Sequence, residues 1–486
     1  MVEGRPMFDK LTPSAGRRHL LDGGYALLLL TVAFVTGYLI LAPSDLRAKT
    51  LARPWPELLP GLVTDWPGPD RPVARARQRQ SWPKTVTGKI LDADRQPLEG
   101  AGIVLDGTEH RAGPDGTFSI EEVTSTTPLL VKMPGFEKAT VEPQRGAVEV
   151  VLKPHVIKAA YLTYFGVGDR TIRTRVLDLI KRTELNAVVI DVKGDRGWIV
   201  YPTNVIEALT VGAQGPATLR DFDALMRDLK ARGIYTIARI VAFKDNILAT
   251  RRPDLAIIDT RTGQPWTDNE KLAWVDPFRE EVWDYNLAIA REAVRRGFDE
   301  VQFDYVRFPT DGRLAAAKYS KPNTKQTRLP TIAGFLARAR HELGALGAFV
   351  SADVFGYTAF NENDTDIGQR VEELTPHLDY ISPMVYPSGY QRGIPGYGNA
   401  IEHPYEVVFE SVRLILKRAT HTHVQVRPWL QDFRDYAFDR RLFGVPQILA
   451  QISAAEDAGA VGWMLWNPRN DYTAAALKPK DAVAAQ

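Results

Sequence analysis

Residues 301–309 read VQFDYVRFP, a strand-like run that ends in a charged pair and a proline. Val301, Phe303 and Tyr305 favour a pleated, buried surface, and Asp304 alternates with them. A carboxylate at the end of a buried strand is costly to desolvate unless it has partners or a chemical task. The run therefore marks a candidate site, although an aspartate that merely caps the next turn would give the same pattern.

The sequence around this run alternates between apolar strands and helix-like stretches, which is typical of βαβ units. Eight strands are predicted, at residues 159–164, 187–193, 235–241, 300–305, 349–354, 380–386, 424–429 and 461–466. Helices are predicted at residues 172–182, 219–232, 280–296, 332–343, 405–418 and 445–458, with a less regular one around 367–374. The fold class predicted is α/β, a (β/α)8 TIM barrel.

The connecting loops differ in length on the two ends of the predicted barrel. Turns from helix to strand are short, whereas loops from strand to helix are long, notably 194–218, 242–279 and 308–331. One elaborate face is typical of an enzyme barrel, whose chemistry lies at the carboxyl ends of the strands.

The composition excludes several kinds of function. A chain of 486 residues has room for two or three domains. Its net charge of +2 gives no electrostatic reason to expect a nucleic-acid partner. The chain has no cysteine, which excludes disulfides, thiolate nucleophiles and thiolate metal ligands.

The N-terminal region predicts a membrane anchor. Tyr25–Leu41 is almost wholly apolar, and about 20 such residues can span a bilayer. Basic residues precede it, which predicts a cytoplasmic tail at 1–24, an anchor at 25–42 and an extracytoplasmic remainder. A cleaved signal peptide and a buried helix are the alternatives, but Ile40 and Ala42 make a poor small-x-small cleavage site. The expectation is a single-pass cell-membrane protein whose barrel faces the periplasm or the cell surface.

Two further segments precede the barrel. Residues 43–83 are rich in proline and predict an extended, semi-rigid linker. Residues 84–153 contain short strands between Gly, Pro and Asp turns, which predicts a small β-sandwich. Through GKILD at 88–92, PLEGA at 97–101, DGTF at 115–118 and PGF at 134–136, this segment resembles the carboxypeptidase regulatory-like, transthyretin-type modules. That resemblance implies no catalysis, and a spacer or adhesion module is expected.

Acidic and basic side chains gather at the predicted strand ends. Alternation places Asp304 and Asp353 on the inner face of adjacent strands, with Asp191 as a third acid that could reach them. Arginines there can hold the acids ionised or bind substrate oxygens. The candidate substrate-binding residues are Asp191, Lys193, Arg239, Trp274, Asp276, Arg307, Tyr386, Arg427, Trp429 and Trp466.

Paired carboxylates among aromatic rings are what glycoside hydrolysis requires. Asp304 is predicted to be the nucleophile or charge stabiliser and Asp353 its acid/base partner. Adjacent strands lie about 4.8 Å apart, which suits the ~5–5.5 Å carboxylate separation of retaining enzymes. Asp191 is the alternative partner and would give the wider gap, ~6.5–9.5 Å, of inverting enzymes. Trp266 or Trp274, from the long loop after the third strand, is expected to close over a substrate.

Residues 158–472 resemble a bacterial family of glycoside hydrolase-like barrels of unknown specificity. The resemblance rests on YLT at 161–163, VIDVK at 189–193, ARIVAFKD at 238–245, WVDP at 274–277, QFDYVRFP at 302–309, SAD at 351–353 and SPMVYP at 382–387. It implies a barrel that hydrolyses a polysaccharide or oligosaccharide.

The run FDY at 303–305 also resembles the fourth strand of the α-amylase clan, whose nucleophile is an aspartate there. This chain departs from that clan, because Gln302 stands where an arginine is usual and Asp353 where the clan has a glutamate.

Two other kinds of function remain open from the sequence. A glycan-binding barrel would keep the aromatics, arginines and acids without turnover. Barrel metallohydrolases need several histidines near strand ends, and only His403 lies on that side, so neither a catalytic metal nor a cofactor is predicted. Ca²⁺ held by Asp276, Asp311 and Asp364 is the remaining metal alternative. Residues 473–486 are predicted to be a tail.

The N-terminal pattern makes a testable prediction about topology. External protease added to spheroplasts should release a fragment that contains the barrel, because the basic flank keeps only residues 1–24 in the cytoplasm. Immunoblotting with an antibody against the barrel would measure the release, and a cytosolic protein would serve as the control for lysis. A barrel that stays protected and fractionates with the cytosol would contradict the predicted topology.

Overall fold

The computed structural model describes residues 85–123, 127–143, 146–216, 219–420 and 422–483. The predicted cytoplasmic tail 1–24, anchor 25–42 and linker 43–83 lie outside the described residues. Within the described ranges, no helix is long and apolar enough to cross a membrane.

Two small sheets pack around one apolar core at the start of the described chain. One sheet has the order β4-β1-β7 and the other β3-β2-β5-β6. The core between them includes Ile90, Phe118, Val131 and Val148. The strands are β1 Thr85–Leu91, β2 Gly102–Leu105, β3 Thr108–Arg111, β4 Thr117–Glu121, β5 Leu129–Lys132, β6 Ala139–Val141 and β7 Ala147–Val151. We call this part the β-module; its resemblance to carboxypeptidase regulatory-like modules stays a prediction.

Eight parallel strand positions then close into a barrel. The strands are β8 Ile157–Leu162, β9 Ala187–Lys193, β10 Tyr235–Val241, β12 Glu300–Asp304, β14 Phe349–Phe355, β15 Tyr380–Met384, a seventh in two pieces (β16 Gln425–Val426 and β17 Trp429–Gln431) and β18 Gly462–Trp466. The last strand pairs with the first, and β14 pairs with β15, so the sheet is continuous. Two short strands, β11 Ile258–Asp259 and β13 Ala317–Lys318, pair outside the barrel. The predicted (β/α)8 TIM barrel is confirmed, with its strands at the predicted positions.

Helices surround the barrel and cover its outer apolar surface. They are α1 Tyr164–Gly168, α2 Arg170–Arg182, α3 Ile206–Val211, α4 Phe222–Ala231, α5 Asn246–Arg251, α6 Glu280–Arg295, α7 Lys325–Gly344, α8 Val371–Leu374, α9 Pro404–Arg418, α10 Val445–Asp457 and α11 Lys480–Val483. The irregular helix expected around 367–374 is reduced to the single turn of α8.

Pro428 explains the break in the seventh strand. It has no N–H group and so cannot donate to a neighbouring strand. Its carbonyl still accepts from the Met464 N–H at 2.9 Å, and the preceding Arg427 N–H donates to Ile381 at 3.0 Å. The ladder therefore continues past the proline, and the strand extends to Gln431.

The β-module contacts the barrel end that carries the amino termini of the strands. The Lys132 ammonium donates to the carbonyl of Ala348 at 2.6 Å, and the Lys138 ammonium donates to the carbonyls of Asp299 and Gly347 at 2.8 and 2.9 Å. These carbonyls lie at the turns that enter β12 and β14. The module thus covers the base of the barrel and leaves the mouth, at the carboxyl ends of the strands, uncovered.

Glu109 and Arg340 form the central ion pair of this interface. Two guanidinium nitrogens of Arg340 donate to the Glu109 carboxylate at 2.6 and 2.9 Å. Burial alone would raise the pKa of Glu109, but the hydrogen bonds from Arg340 and the charge of Lys132 outweigh it and lower the pKa to about 2. The ionised carboxylate is therefore stabilised in the folded state.

We expect Glu109→Gln to lower the free energy of unfolding by about 3 kcal/mol near neutral pH, because a lowered folded-state pKa contributes stability above the unfolded value. That contribution is lost as pH falls from the ordinary glutamate pKa towards about 2. Urea unfolding of both proteins at several pH values would measure the difference. Glu121→Gln, at an exposed position of β4, is the control. A difference between wild type and Glu109→Gln that does not shrink in acid would contradict the prediction.

Candidate active site

A cavity of about 840 Å³ opens at the carboxyl ends of the barrel strands. Its floor carries Arg239, Asp304 and Asp353, which end or nearly end three adjacent strands. Aromatic rings form much of the wall; those on strands or just beyond them include Tyr305, Phe355, Tyr357, Tyr386, Trp429, Phe433 and Trp466. This is the face on which the sequence predicted the long loops and the chemistry.

Arg239 joins the acids of three strands. Its Nη1 lies 2.5 Å from Oδ1 of Asp191, and both Nε, at 3.1 Å, and Nη2 donate to Oδ2 of Asp304. Its Nε also lies 3.9 Å from Oδ2 of Asp353. The strand register produces this arrangement, because Arg239 lies directly beside Asp191 on one neighbouring strand and beside Gln302 on the other.

The two predicted catalytic acids are close to each other. Oδ2 of Asp304 and Oδ2 of Asp353 lie 3.1 and 3.9 Å from the same Nε atom of Arg239, so they are at most about 7 Å apart. That bound admits the ~5–5.5 Å separation of retaining enzymes and only the lower end of the ~6.5–9.5 Å range of inverting ones.

The acids of this cluster differ in their electrostatic surroundings. Burial, and then the charge of Asp304, raise the pKa of Asp353 well above its usual value, and Arg239 only partly opposes this. Burial disfavours the charge of Arg239, but Asp191 and Asp304 together raise its pKa well above the usual value. One guanidinium therefore pairs with two carboxylates, while the surroundings of the third acid disfavour its charged form.

Asp191 lies behind the cavity wall and does not line the cavity. Its Oδ2 accepts from the Tyr161 hydroxyl at 2.5 Å and from the Tyr164 N–H at 3.3 Å, and its Oδ1 faces Arg239. The sequence placed it among the substrate-binding residues; the structure makes it a partner that orients Arg239 and Tyr161.

Two tryptophans complete the site. Trp429, fully buried, donates from Nε1 to Oδ1 of Asp353 at 2.7 Å. Trp466 stacks on the ring of Tyr161 with centroids 4.0 Å apart, and the Arg239 guanidinium lies 5.0 Å from its ring centroid. Both line the cavity. Trp466 is partly exposed, and such a flat apolar ring beside acids provides a surface on which a sugar ring can pack.

Tyr305 has an unusual backbone conformation. Its φ is 48°, in the left-handed region that bulky residues rarely adopt. This conformation brings its N–H to 2.6 Å from Oδ1 of Asp304. Strained residues of this kind cluster at functional sites, where the surrounding structure holds them in place. Asp304 thus accepts hydrogen bonds on both oxygens.

Lys193 is not in the cavity. Simple alternation placed it on the inner face beside Asp191, but the pairing of β9 with β10 shifts by one residue between Arg239 and Ile240. Such a bulge turns the following side chain to the other face of the sheet. Lys193 is fully buried there and pairs with Asp245 at 2.6 Å.

Arg427 is also misplaced by the sequence-based prediction. It lies deeper in the barrel than the cavity, fully buried, and pairs with Glu300. Its guanidinium lies 4.2 Å from the ring centroid of Tyr380, and the hydroxyl of Ser351 donates to the same Glu300 at 2.5 Å. It lies between the two pieces of the interrupted seventh strand, before the three residues of β17 that lead to the mouth.

The loop after β10 does not supply a tryptophan to the cavity surface. Trp274 and Trp266 are 2% and 1% exposed, and neither lines the cavity. Trp274 lies behind Tyr305, with ring centroids 5.6 Å apart. Asp276 is buried as well, and its carboxylate accepts from the N–H groups of Phe278 and Ser320 at 3.0 and 2.6 Å. The expected lid over a substrate is wrong for both tryptophans.

Three residues that shape the site were not predicted from the sequence. Tyr161 supports Asp191, and alternation along the first strand would have placed it on the inner face with Ala159. Asp432 lines the cavity one residue after β17, and burial raises its pKa to about 6. Glu300 lies on the inner face of β12, four residues before Asp304. A carboxylate buried at this depth requires a partner, and Arg427 pairs with it.

The carboxylates proposed for Ca²⁺ are separately engaged. Asp276 caps two N–H groups, Asp311 accepts from Asn269, and Asp364 pairs with Arg328 at 2.8 Å. Among the described residues, no group of three or more histidine or acidic side chains is arranged to hold a metal ion.

Asp304→Asn should lower the pKa of Asp353, because the variant removes the neighbouring negative charge that helps to raise it; burial should still keep it above the ordinary value. Difference infrared titration of the protonated carboxyl band would measure this, and the loss of the band in Asp353→Asn would assign it. Asp254→Asn, at an exposed site, is the control. An unchanged titration in Asp304→Asn would contradict the coupling of the two acids.

Comparison with known proteins assigns the barrel to a family. The family model described as "Putative glycosyl hydrolase domain" matches residues 159–472. None of the curated proteins matches the chain.

Three solved structures show the range of the similarity. A hypothetical protein from Ruminiclostridium thermocellum ATCC 27405 is 36% identical over 40% of this chain and 97% of that one, with a TM-score of 0.36. The PgaB (BpsB) glycoside hydrolase domain from Bordetella bronchiseptica is 13% identical over 65% and 95%, with a TM-score of 0.48. A chitinase from Chromobacterium violaceum ATCC 12472 is 12% identical over 65% and 96%, with a TM-score of 0.39. With its barrel matched by the family model from Ala159 to Tyr472, this chain belongs to the glycosyl hydrolase-like domain family that the model describes.

Proposed function

We propose that the protein is a retaining glycoside hydrolase that acts on an extracytoplasmic polysaccharide, with Asp304 as nucleophile and Asp353 as general acid and base. The observation that carries the proposal is the unequal sharing of Arg239: the guanidinium donates twice to Asp304, while its nearest nitrogen is 3.9 Å from Asp353. The extracytoplasmic location rests on the N-terminal sequence pattern alone.

The roles follow from the contacts of each acid. Asp304 accepts hydrogen bonds from two nitrogens of the Arg239 guanidinium and from the N–H of Tyr305, which hold its carboxylate in place at the floor of the cavity. Asp353 is buried and its pKa is raised, so it holds the proton that a leaving glycosidic oxygen needs. If the roles were reversed, the proton donor would be Asp304, the acid that has the closer contacts with the Arg239 cation.

The reaction then runs in two steps. In the first, Asp353 gives its proton to the glycosidic oxygen, the bond from the anomeric carbon to that oxygen breaks, and Asp304 forms a covalent bond to the carbon. In the second, Asp353 takes a proton from water, the water oxygen attacks the same carbon, and Asp304 leaves as a carboxylate.

The coupling between the two acids suits this change of role. While Asp304 is bound to the sugar it carries no charge, so the second of the two causes that raise the pKa of Asp353 disappears and burial remains. Asp353 is then more readily deprotonated, and its deprotonated form is the one that accepts a proton from water in the second step. Asp191, the alternative partner that would favour inversion, lies behind the wall and is occupied by Tyr161 and Arg239.

We expect Asp304→Asn to abolish turnover while the fold and glycan binding are retained. Asp353→Asn should slow polysaccharide cleavage by about 10²- to 10⁴-fold, the usual contribution of a general acid, and should spare aryl glycosides whose leaving group needs little protonation. Wild-type activity should fall as pH rises through the raised pKa of Asp353. Released reducing ends, measured over a panel of bacterial polysaccharides, would report turnover, with Asp178→Asn on α2 as the control.

Near-wild-type turnover by Asp304→Asn would refute the assignment of the nucleophile. Binding of a polysaccharide by the wild type with no released ends from any member of the panel would instead favour the glycan-binding barrel without turnover. The anomeric configuration of the first product, followed by NMR, would separate retention from inversion.

A further inference from the structure

Arg307 lines the cavity three residues after Asp304, and most of its hydrogen-bonding capacity is unused. Its Nη1 donates to the carbonyl of Phe308 at 3.1 Å and to the hydroxyl of Thr310 at 3.3 Å. In the part of the chain that the structure describes, no carboxylate pairs with it. A guanidinium has five N–H donors, and two of its nitrogens here have no protein acceptor.

Aromatic rings fix the plane of this guanidinium. The Arg307 Cζ atom lies 4.8 Å from the ring centroid of Tyr305 and 5.4 Å from that of Trp274. Trp274 is itself held by a hydrogen bond from Nε1 to Asp268 at 3.0 Å. The buried tryptophan thus supports Arg307 from behind. A fork held in this way is preorganised for a planar or tetrahedral oxyanion.

The acids of the cavity wall do not neutralise Arg307. Asp304 is engaged by Arg239, and both oxygens of Asp432 accept from Thr473 at 2.8 Å. Asp471 also lines the cavity, but it is exposed and lies 3.8 Å from the guanidinium of Arg175.

Two more arginines at the mouth have the same character. Arg434 and Arg469 line the cavity on the loops after β17 and β18. Both are exposed, and neither has an ion-pair partner among the described residues. Positive charge without an ion-pair partner among the described residues therefore lies on three loops around the cavity.

We propose that the substrate is an acidic glycan and that Arg307 binds its anionic substituent, a carboxylate, phosphate or sulfate. This inference rests on the proposed function, since it concerns the same cavity. A neutral sugar that covered Arg307 would leave a cation partly desolvated without a counter-charge, which costs free energy. An oxyanion would accept two parallel hydrogen bonds from the free N–H donors of Arg307. Because Arg307 is three residues from Asp304 in the chain, the bound oxyanion would set which sugar unit lies over Asp304.

The experiment compares acidic polysaccharides with their own neutral forms. The panel contains polyuronates and their carboxyl-reduced derivatives, phosphorylated glycans before and after phosphatase, and sulfated glycans before and after desulfation. Binding is measured by calorimetry in the Asp304→Asn background, so that turnover is not required. Arg307→Gln, Arg307→Lys and the control Arg251→Gln, an exposed arginine on α5, are made in the same background so that the charge change at residue 304 cancels.

At least one acidic member should bind about 10- to 100-fold more tightly than its neutral form, the range expected for hydrogen bonds to a charged group. Arg307→Gln should abolish that preference, Arg307→Lys should keep part of it, and Arg251→Gln should leave it unchanged. The acidic class that shows the preference identifies whether the substituent is a carboxylate, phosphate or sulfate.

Equal binding of acidic and neutral forms, an undiminished preference in Arg307→Gln, or no binding by any acidic member would overturn the inference. The proposed hydrolysis is scored separately, by reducing ends released by the protein with Asp304 intact. Turnover of neutral glycans alone would contradict the acidic substrate and support the proposed hydrolysis. An Arg307-dependent preference for acidic glycans without turnover would support the acidic ligand and contradict the proposed hydrolysis.

Discussion

The site depends on a single buried guanidinium. Arg239 is 4% exposed and lies among the carboxylates of Asp191, Asp304 and Asp353. Buried charges are tolerated only where they are paired, and here one cation is shared by three acids. Its hydrogen bonds go to Asp191 and Asp304, whereas burial and the charge of Asp304 raise the pKa of Asp353 well above its usual value. The surroundings of Asp304 and Asp353 therefore differ in how much of this one side chain each receives.

The lower part of the molecule keeps this arrangement rigid. Inside the barrel, Arg427 and Glu300 form a second buried pair below Arg239. At the base, the β-module donates hydrogen bonds to turns that enter the strands, through Lys132 and Lys138. These contacts hold the amino ends of the strands in place. The loops at the carboxyl ends can then vary in sequence and carry the site, as in other enzyme barrels.

Much of the fold could be predicted because its sequence pattern is local. Period-two alternation identified the eight strands and placed Asp304 and Asp353 on the inner face, where both line the cavity. The long loops after the strands indicated which end of the barrel carries the site. Prediction failed where a side chain's position depends on a neighbouring element: a one-residue shift in pairing turns Lys193 outward, and Tyr305 stands between Trp274 and the cavity.

The amino-acid sequence by itself determined the barrel, the face of each strand and the kinds of side chain at the mouth, because these follow from periodicity and composition along the chain. Only the tertiary structure decided how Arg239 is shared among the acids, that Asp191 contacts Arg239 and Tyr161, and that the aromatic loop supports Arg307. Each of these depends on distances between side chains from different strands and loops. Electrostatic interaction changes steeply over a few ångströms, and no pattern along one chain specifies such distances.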